Sequence, residues 1–80
     1  MSVTAIEQDI ISFLKANIVA EQVEILPQTS FSELGIDSFS IVEIILFLER
    51  KYNYLVPDVD MQPEHFRNVH TIAKLVERAI

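Results

Sequence analysis

The chain has 80 residues, half of them hydrophobic, and a formal net charge of −6 at pH 7. This length predicts a single domain, residues 1–80, with one small core, and the apolar content excludes an intrinsically disordered polypeptide. Because the sequence has no cysteine, it excludes disulfides and thiolate metal sites and is compatible with a reducing cytoplasmic setting.

No targeting or membrane segment is expected. The first twenty residues carry Glu7, Asp9 and Lys15 and lack a basic start followed by an apolar block, which argues against a secretory signal. The longest apolar run, residues 41–48, is interrupted by Glu43 and is too short to cross a bilayer. We therefore expect a cytoplasmic protein without stable membrane insertion.

The first predicted element is a helix from about Ala5 to Asn17. Thr4 and Glu7 have the spacing of a capping box, with Thr4 as the N-cap. Apolar residues then recur at helical spacing, at Ile6, Ile10, Phe13, Leu14 and Ile18.

A long connection, residues 18–37, follows this helix and contains Pro27. Ser30 and Glu33 repeat the capping-box spacing and Gly35 supplies a stop, which predicts a single helical turn within the connection. A loop of this length is usually functional or packed by its own side chains. The residues expected to pack it down are Val23, Ile25, Leu26, Phe31 and Leu34.

The second helix is predicted from Ser38 to about Tyr52, because no glycine or proline interrupts a span too long for a typical strand. One stripe at helical spacing supplies its core face: Ile41, Ile44, Ile45, Leu48 and Tyr52. Four further apolar residues remain outside this stripe, close to two acids: Phe39, Val42, Leu46 and Phe47, with Glu43 and Glu49. A domain this small can hardly bury such a helix on all sides, so these six residues predict a partner-binding surface.

The last part of the chain contains a short and a longer helix. Pro63 opens a short turn or helix that runs to Phe66, and Thr71 is expected to cap a final helix with an apolar face from Ile72 to Ile80. The predicted fold is therefore all-α, a small four-helix bundle of three main helices and one short helix.

The most informative segment is Leu34-Gly35-Ile36-Asp37-Ser38-Phe39, which places a serine hydroxyl at the start of the second helix. An anion attached there would lie at the positive end of the helix dipole. Serine is also a common N-cap, so Ser38 alone has an ordinary structural explanation. However, Asp37 can cap the helix by accepting from backbone N–H groups near Ser40, which leaves the Ser38 hydroxyl free.

The segment from Phe31 to Phe39 resembles the attachment motif of the acyl carrier protein family, whose usual core is Gly-x-Asp-Ser-Leu. The likeness extends over nearly the whole chain, in the order of its helices and loops. It implies that a phosphopantetheinyl transferase modifies Ser38 with 4′-phosphopantetheine from coenzyme A. The thiol of this arm then holds acyl groups as thioesters for enzymes of fatty-acid, polyketide or specialised lipid biosynthesis. Asp37, beside the attachment site, would contribute to recognition by the transferase.

The resemblance also implies the nature of the partners. Phe39, Val42, Glu43, Leu46 and Glu49 match the positions with which such carriers meet enzymes. Acidic residues are concentrated in residues 21–60, a distribution that repels nucleic acid and attracts basic protein surfaces. We therefore expect a monomer that docks on acyl-loading, condensing or transfer enzymes with basic surfaces and binds no nucleic acid.

Several residues depart from the family pattern. Phe39 replaces the usual leucine, Ser40 occupies a position that is often acidic, and Arg50 and Lys51 replace acids common near the end of the helix. These departures predict a dedicated pathway and poor docking on the enzymes of primary fatty-acid synthesis.

Alternatives remain open for cargo and for modification. An aminoacyl or peptidyl carrier, including a D-alanyl carrier, fits the same motif, and an unmodified carrier-like docking adapter would use the same helix. An acyl chain would need an inter-helix cavity, but its candidate residues are expected to fill the core instead, leaving cargo in solvent or on the partner: Ile41, Ile45, Leu48, Tyr52, Phe66 and Ile72.

An enzyme and a metal site are both disfavoured. The Gly-x-Ser-x-Gly elbow of a serine nucleophile is absent, and the chain has no second lobe to form a substrate cleft. His65 and His70 are poorly spaced for a helical metal pair and have no cysteine beside them.

Overall fold

The computed structural model describes residues 2–80, which form three α-helices and no strand. The helices are α1 (Val3–Asn17), α2 (Ser38–Tyr52) and α3 (Val69–Ala79). Two 3₁₀ turns, Asp58–Asp60 and Pro63–Phe66, lie between α2 and α3. The all-α prediction is confirmed, and the short fourth helix is the 3₁₀ turn that Pro63 opens. The sequence did not indicate the turn at Asp58.

The core lies where the apolar faces of the three helices meet, and α1 packs most extensively on α3. Its fully buried side chains come from all three helices: Ile6, Ile10, Leu14, Ile44, Leu48, Val69, Ile72 and Val76. Part of each predicted apolar stripe thus contributes to one core, which fixes one face of α2 and leaves the opposite face to solvent.

Helix α1 begins earlier than the sequence predicted. The Ser2 hydroxyl, not that of Thr4, is the N-cap and accepts a hydrogen bond from the Ala5 N–H at 3.1 Å. Glu7 therefore does not fold back to form a capping box. Its carboxylate is buried and lies 2.7 Å from Nδ1 of His70 on α3, so it joins the two helices.

The cap of α3 also differs from the prediction. Asn68 is the N-cap, and its side chain accepts from the Thr71 N–H at 2.8 Å. Thr71 completes this capping box, because its hydroxyl accepts from the Asn68 N–H at 3.3 Å. The extra turn places His70 inside the helix, where it reaches Glu7.

Helix α2 has the predicted bounds and is fastened to α1 at its far end. The Tyr52 hydroxyl donates to the Asp9 carboxylate at 2.6 Å. Burial and this carboxylate raise the pKa of Tyr52. After Tyr52 the helix stops at Asn53, which adopts a left-handed conformation with φ of 52°.

The long connection between α1 and α2 is held down at fewer points than expected. Ile25 and Phe31 are buried, whereas Val23 and Leu26 are exposed. The expected turn is present as i to i+3 hydrogen bonds, beginning with the Glu33 N–H to the Ser30 carbonyl at 3.0 Å. The Ser30 hydroxyl bonds to Ser32 instead of capping at Glu33.

Two leucines of α2 test this division into a core face and a solvent face. Leu48 is fully buried and Leu46 is 49% exposed. We expect Leu48→Ala to lower the free energy of unfolding by about 2–5 kcal/mol because it leaves a cavity. The matched change Leu46→Ala should cost less than about 1 kcal/mol, as is usual for surface substitutions. Urea unfolding of both variants makes the comparison, and equal losses would contradict the packing described here.

Candidate functional site

Ser38 is the first residue of α2, and its side chain is exposed. Among residues 2–80 no group hydrogen-bonds its hydroxyl. The hydroxyl therefore lies at the positive end of the helix dipole, accessible to another molecule and not engaged in the fold.

Asp37 supplies the cap that Ser38 does not. Its backbone is extended, and its carboxylate accepts a hydrogen bond from the Ser40 N–H at 3.0 Å. This hydrogen bond is the main cause that lowers the pKa of Asp37 below its usual value. The carboxylate is thus ionised at neutral pH, and the cap itself is the one that the sequence predicted.

Gly35 allows the chain to turn into this geometry. Its φ of +72° lies in the left-handed region, which other residues seldom adopt. Just before it, the Phe31 N–H donates to the Arg67 carbonyl at 2.9 Å, which ties the approach to Ser38 to the segment before α3. The position of Ser38 is therefore held by the loop on one side and by the core face of α2 on the other.

A groove of about 710 Å³ runs beside Ser38, between α2 and residues 61–67. Its polar rim includes Asp37, Ser38 and Arg67. Apolar side chains make up most of the remaining lining: Phe31, Ile36, Ile41, Val42, Ile45, Met61, Pro63 and Phe66. The groove thus offers a mostly hydrocarbon surface next to a free hydroxyl.

The groove corrects part of the sequence interpretation. Ile41, Ile45 and Phe66 were expected to fill the core, but they line this open groove. Leu48 and Ile72 are buried as expected. The distinction depends on how far residues 61–67 stand from α2, which periodicity alone does not specify.

The predicted partner surface on α2 is largely open to solvent. Phe39 is 84% exposed, Val42 54% and Leu46 49%, and Glu43 and Glu49 are exposed beside them.

Phe47 differs from the other five predicted partner residues. Its ring stacks on Phe13 of α1, with centroids 4.5 Å apart and an interplanar angle of 21°, and it meets Tyr52 edge-on. It is half-buried and joins α2 to α1, so its contact with partners stays a prediction.

The histidines are engaged in the fold. His65 Nδ1 lies 2.7 Å from the Asp60 carbonyl, and His70 meets Glu7. Within the described part of the chain, no group of three or more histidine, aspartate or glutamate side chains is placed to hold a metal ion. No described helix has the length and apolar content to cross a membrane.

Comparison with protein families shows the family to which the chain belongs. The family model described as a phosphopantetheine attachment site matches residues 5–79. The chain belongs to the acyl carrier protein family. It is a carrier protein, and the cofactor of this family is 4′-phosphopantetheine.

Individual relatives of this carrier divide between two kinds of cargo. The acyl carrier protein of Helicobacter pylori (strain J99) is 32% identical over 74 residues, covering 91% of this chain and 92% of its own. Aminoacyl carrier protein 2 of Bradyrhizobium diazoefficiens is 26% identical over 65 residues, covering 81% and 71%. Sequence similarity therefore places the chain in the family without naming its cargo.

The fold of the carrier also matches solved structures. A chain in the crystal structure of Bradyrhizobium japonicum glycine:[carrier protein] ligase complexed with its cognate carrier protein superposes with a TM-score of 0.76. The sequence identity is 24%, and the match covers 95% of this chain and 96% of that one. At this identity the match shows a shared fold.

The residues beside Ser38 fit the cofactor of the family. A phosphodiester would form at an exposed hydroxyl on a helix N-terminus, and the groove of about 710 Å³ adjoins this hydroxyl. Sequence reasoning missed the far wall of this groove, including Met61, Gln62 and Arg67. Pro63 marked a turn in that segment and Phe66 was a candidate for lining a cavity, but no local pattern indicates that the segment folds back beside Ser38.

The Asp37 cap makes a pH-dependent contribution to stability that can be measured. Asp37→Ala should lower the melting temperature at pH 7, because the Ser40 N–H loses its acceptor. A lowered pKa in the folded state means that the charged form adds stability above the usual aspartate pKa of about 3.9. This contribution is lost as the pH falls through the lower folded-state pKa.

The difference in melting temperature between wild type and Asp37→Ala should therefore become smaller below about pH 4. Asp37→Asn is the matched control, since asparagine also caps but does not titrate in this range. Thermal melts of the three proteins from pH 7 to pH 2.5 give the comparison, and a gap that stays constant throughout would contradict the assignment.

Proposed function

We propose that Ser38 carries 4′-phosphopantetheine and that this protein is a discrete acyl carrier and not an enzyme. The observation that carries the proposal is the free Ser38 hydroxyl at the start of a helix that Asp37 already caps. The Ser38 oxygen would take the phosphopantetheine moiety of coenzyme A as a phosphodiester, with adenosine 3′,5′-bisphosphate as the leaving group. The arm supplies the thiol that carries cargo as a thioester, and the protein supplies orientation and recognition.

The location of Ser38 supports this use over a structural one. Replacing its hydroxyl proton with a phosphodiester breaks no hydrogen bond found among residues 2–80. The new negative charge would lie at the positive end of the α2 dipole, where anions are stabilised. A phosphopantetheinyl transferase is therefore the first partner that we propose.

Intact mass measurement tests the attachment directly. After incubation with coenzyme A and a broad-specificity phosphopantetheinyl transferase, the wild type should gain one phosphopantetheine. Ser38→Ala should gain none. Ser40→Ala is the matched control, since it removes a hydroxyl from the same helix turn, and it should be modified like the wild type. An unmodified but folded wild type, with a control carrier modified in parallel, would favour the docking adapter.

The groove favours an acyl cargo of some length. Its apolar lining, including Ile41, Ile45 and Phe66, begins next to Ser38 and is open to solvent without cargo. A hydrocarbon chain placed there would be removed from water, which is favourable by about 0.8 kcal/mol for each buried methylene. Similarity to aminoacyl carriers supports a second candidate, a glycyl or other aminoacyl cargo, which would gain little from this surface.

Thermal stability separates the two candidates. A ligand that binds only the folded state raises the melting temperature, by about 4–8 °C per kcal/mol for a domain of 60–100 residues. We expect the octanoyl form of the carrier to melt several degrees above the unacylated holo form. The glycyl form should melt at the same temperature as the unacylated holo form. Equal melting temperatures for all three would contradict an acyl cargo held in the groove.

We propose that partner enzymes dock on Phe39, Val42 and Leu46, with Glu43 and Glu49 meeting basic side chains. These residues give an apolar patch with charges at its edge, an arrangement common in protein interfaces. Successive helix positions differ by about 100°, which places Arg50 on the same face as Leu46. A uniformly basic partner would therefore meet one repulsive charge at Arg50.

Charge reversal tests this docking face. We expect a fatty-acid synthesis enzyme to acylate wild-type holo carrier poorly and to acylate Arg50→Glu several-fold faster, because electrostatic complementarity raises association rates. Lys51→Glu is the matched control, since it makes the same charge change on another sector of α2. Wild-type activity equal to that of the enzyme's own carrier would contradict the dedicated pathway.

A further inference from the structure

Arg67 is the one basic side chain along the groove that begins at Ser38. It lies immediately after the second 3₁₀ turn, on the wall formed by residues 61–67. Its carbonyl accepts the Phe31 N–H at 2.9 Å, which holds its backbone next to the loop that leads to Ser38. The backbone position of Arg67 is thus set by a contact with the loop before Ser38, while its side chain is exposed.

The other polar side chains at this end of the groove already have partners. The hydroxyls of Ser30 and Ser32 bond to each other at 2.8 Å, and the Gln62 amide donates to the Val59 carbonyl at 3.3 Å. Arg67 forms no ion pair or side-chain hydrogen bond with any residue from 2 to 80. A guanidinium has five N–H donors in a planar fork that matches the oxygens of a phosphate group.

The negative charge of Asp37 at the start of α2 also favours an arm that lies toward the wall formed by residues 61–67. A phosphodiester on Ser38 would carry one negative charge beside the ionised Asp37 carboxylate, and like charges repel. Asp37 is held in place by its hydrogen bond to the Ser40 N–H, so the flexible arm is the part that moves. The lining side chain of opposite charge that could compensate it is that of Arg67.

We propose that Arg67 binds the phosphodiester on Ser38 and thereby directs the pantetheine arm over the groove. The inference rests on the proposed modification of Ser38. Arg67 is a positioning residue in this account, because it touches the phosphodiester and not the thiol that carries cargo. For an exposed ion pair we expect a modest effect, about a two- to fivefold change in the fraction of arms that lie over the groove.

The absence of cysteine makes a direct measurement possible. In the holo protein the terminal thiol of the arm is the only thiol, so a nitroxide maleimide labels the arm alone. Paramagnetic broadening of backbone amide signals then reports where the arm spends its time. We expect strong broadening at Ile45, Gln62 and Phe66, and weaker broadening by about twofold or more in Arg67→Gln.

Arg50→Gln is the matched control, since it removes the same charge from an exposed arginine that does not line the groove. It should broaden these amides like the wild type, and 0.5 M NaCl should reduce the difference between wild type and Arg67→Gln. Equal broadening in Arg67→Gln and wild type at low salt, with Ser38 modified in both, would overturn this inference alone. Failure of Ser38 to be modified would overturn the inference and the proposed function together.

Discussion

The hydrogen bond from the Ser40 N–H to the Asp37 carboxylate determines what Ser38 is free to do. The first turn of a helix has backbone N–H groups without intrahelical partners, and a serine at its start commonly satisfies one of them. Here the preceding aspartate takes that role from the N-cap position. The Ser38 hydroxyl is therefore left exposed on a rigid helix, where a covalent arm can be added without loss of the cap.

The rest of the fold keeps α2 in place while leaving much of its surface uncovered. Ile44 and Leu48 anchor the helix in the core, and Tyr52 fastens its last turn to Asp9 on α1. Phe47 closes a second sector by stacking on Phe13. Among residues 2–80 no further element covers the remaining face, so Phe39, Val42 and Leu46 are exposed. The same limitation that makes a small domain marginally stable thus leaves exposed the face on which we propose that partners dock.

Most of α2 could be predicted from the sequence because its signals are local. The apolar period and the Asp-Ser pair lie within a few residues of each other, and both bounds and the Asp37 cap were predicted. The predicted N-caps of α1 and α3 were wrong because several polar residues within one turn can act as the cap. Ser2 takes this position instead of Thr4, and Asn68 instead of Thr71.

Features that join distant parts of the chain were not predictable in this way. The contact of Phe31 with Arg67 and that of Glu7 with His70 bring together residues far apart in sequence. The groove depends on the contact of Phe31 with Arg67. Because the sequence does not indicate this contact, the apolar residues that line the groove were predicted to lie in the core. Phe47 was assigned to the partner surface because its spacing fits that sector, and only the three-dimensional packing shows its partner Phe13.

In the proposed carrier, Asp37 caps α2 while Ser38 carries the arm. Amide chemical shifts and hydrogen exchange of the apo and holo proteins, recorded by NMR, test it most directly. We expect a large shift change at the Ser38 amide on modification, with the Ser40 amide equally protected from exchange in both forms. A Ser38 amide that does not change, or a Ser40 amide that loses protection when the arm is added, would contradict it.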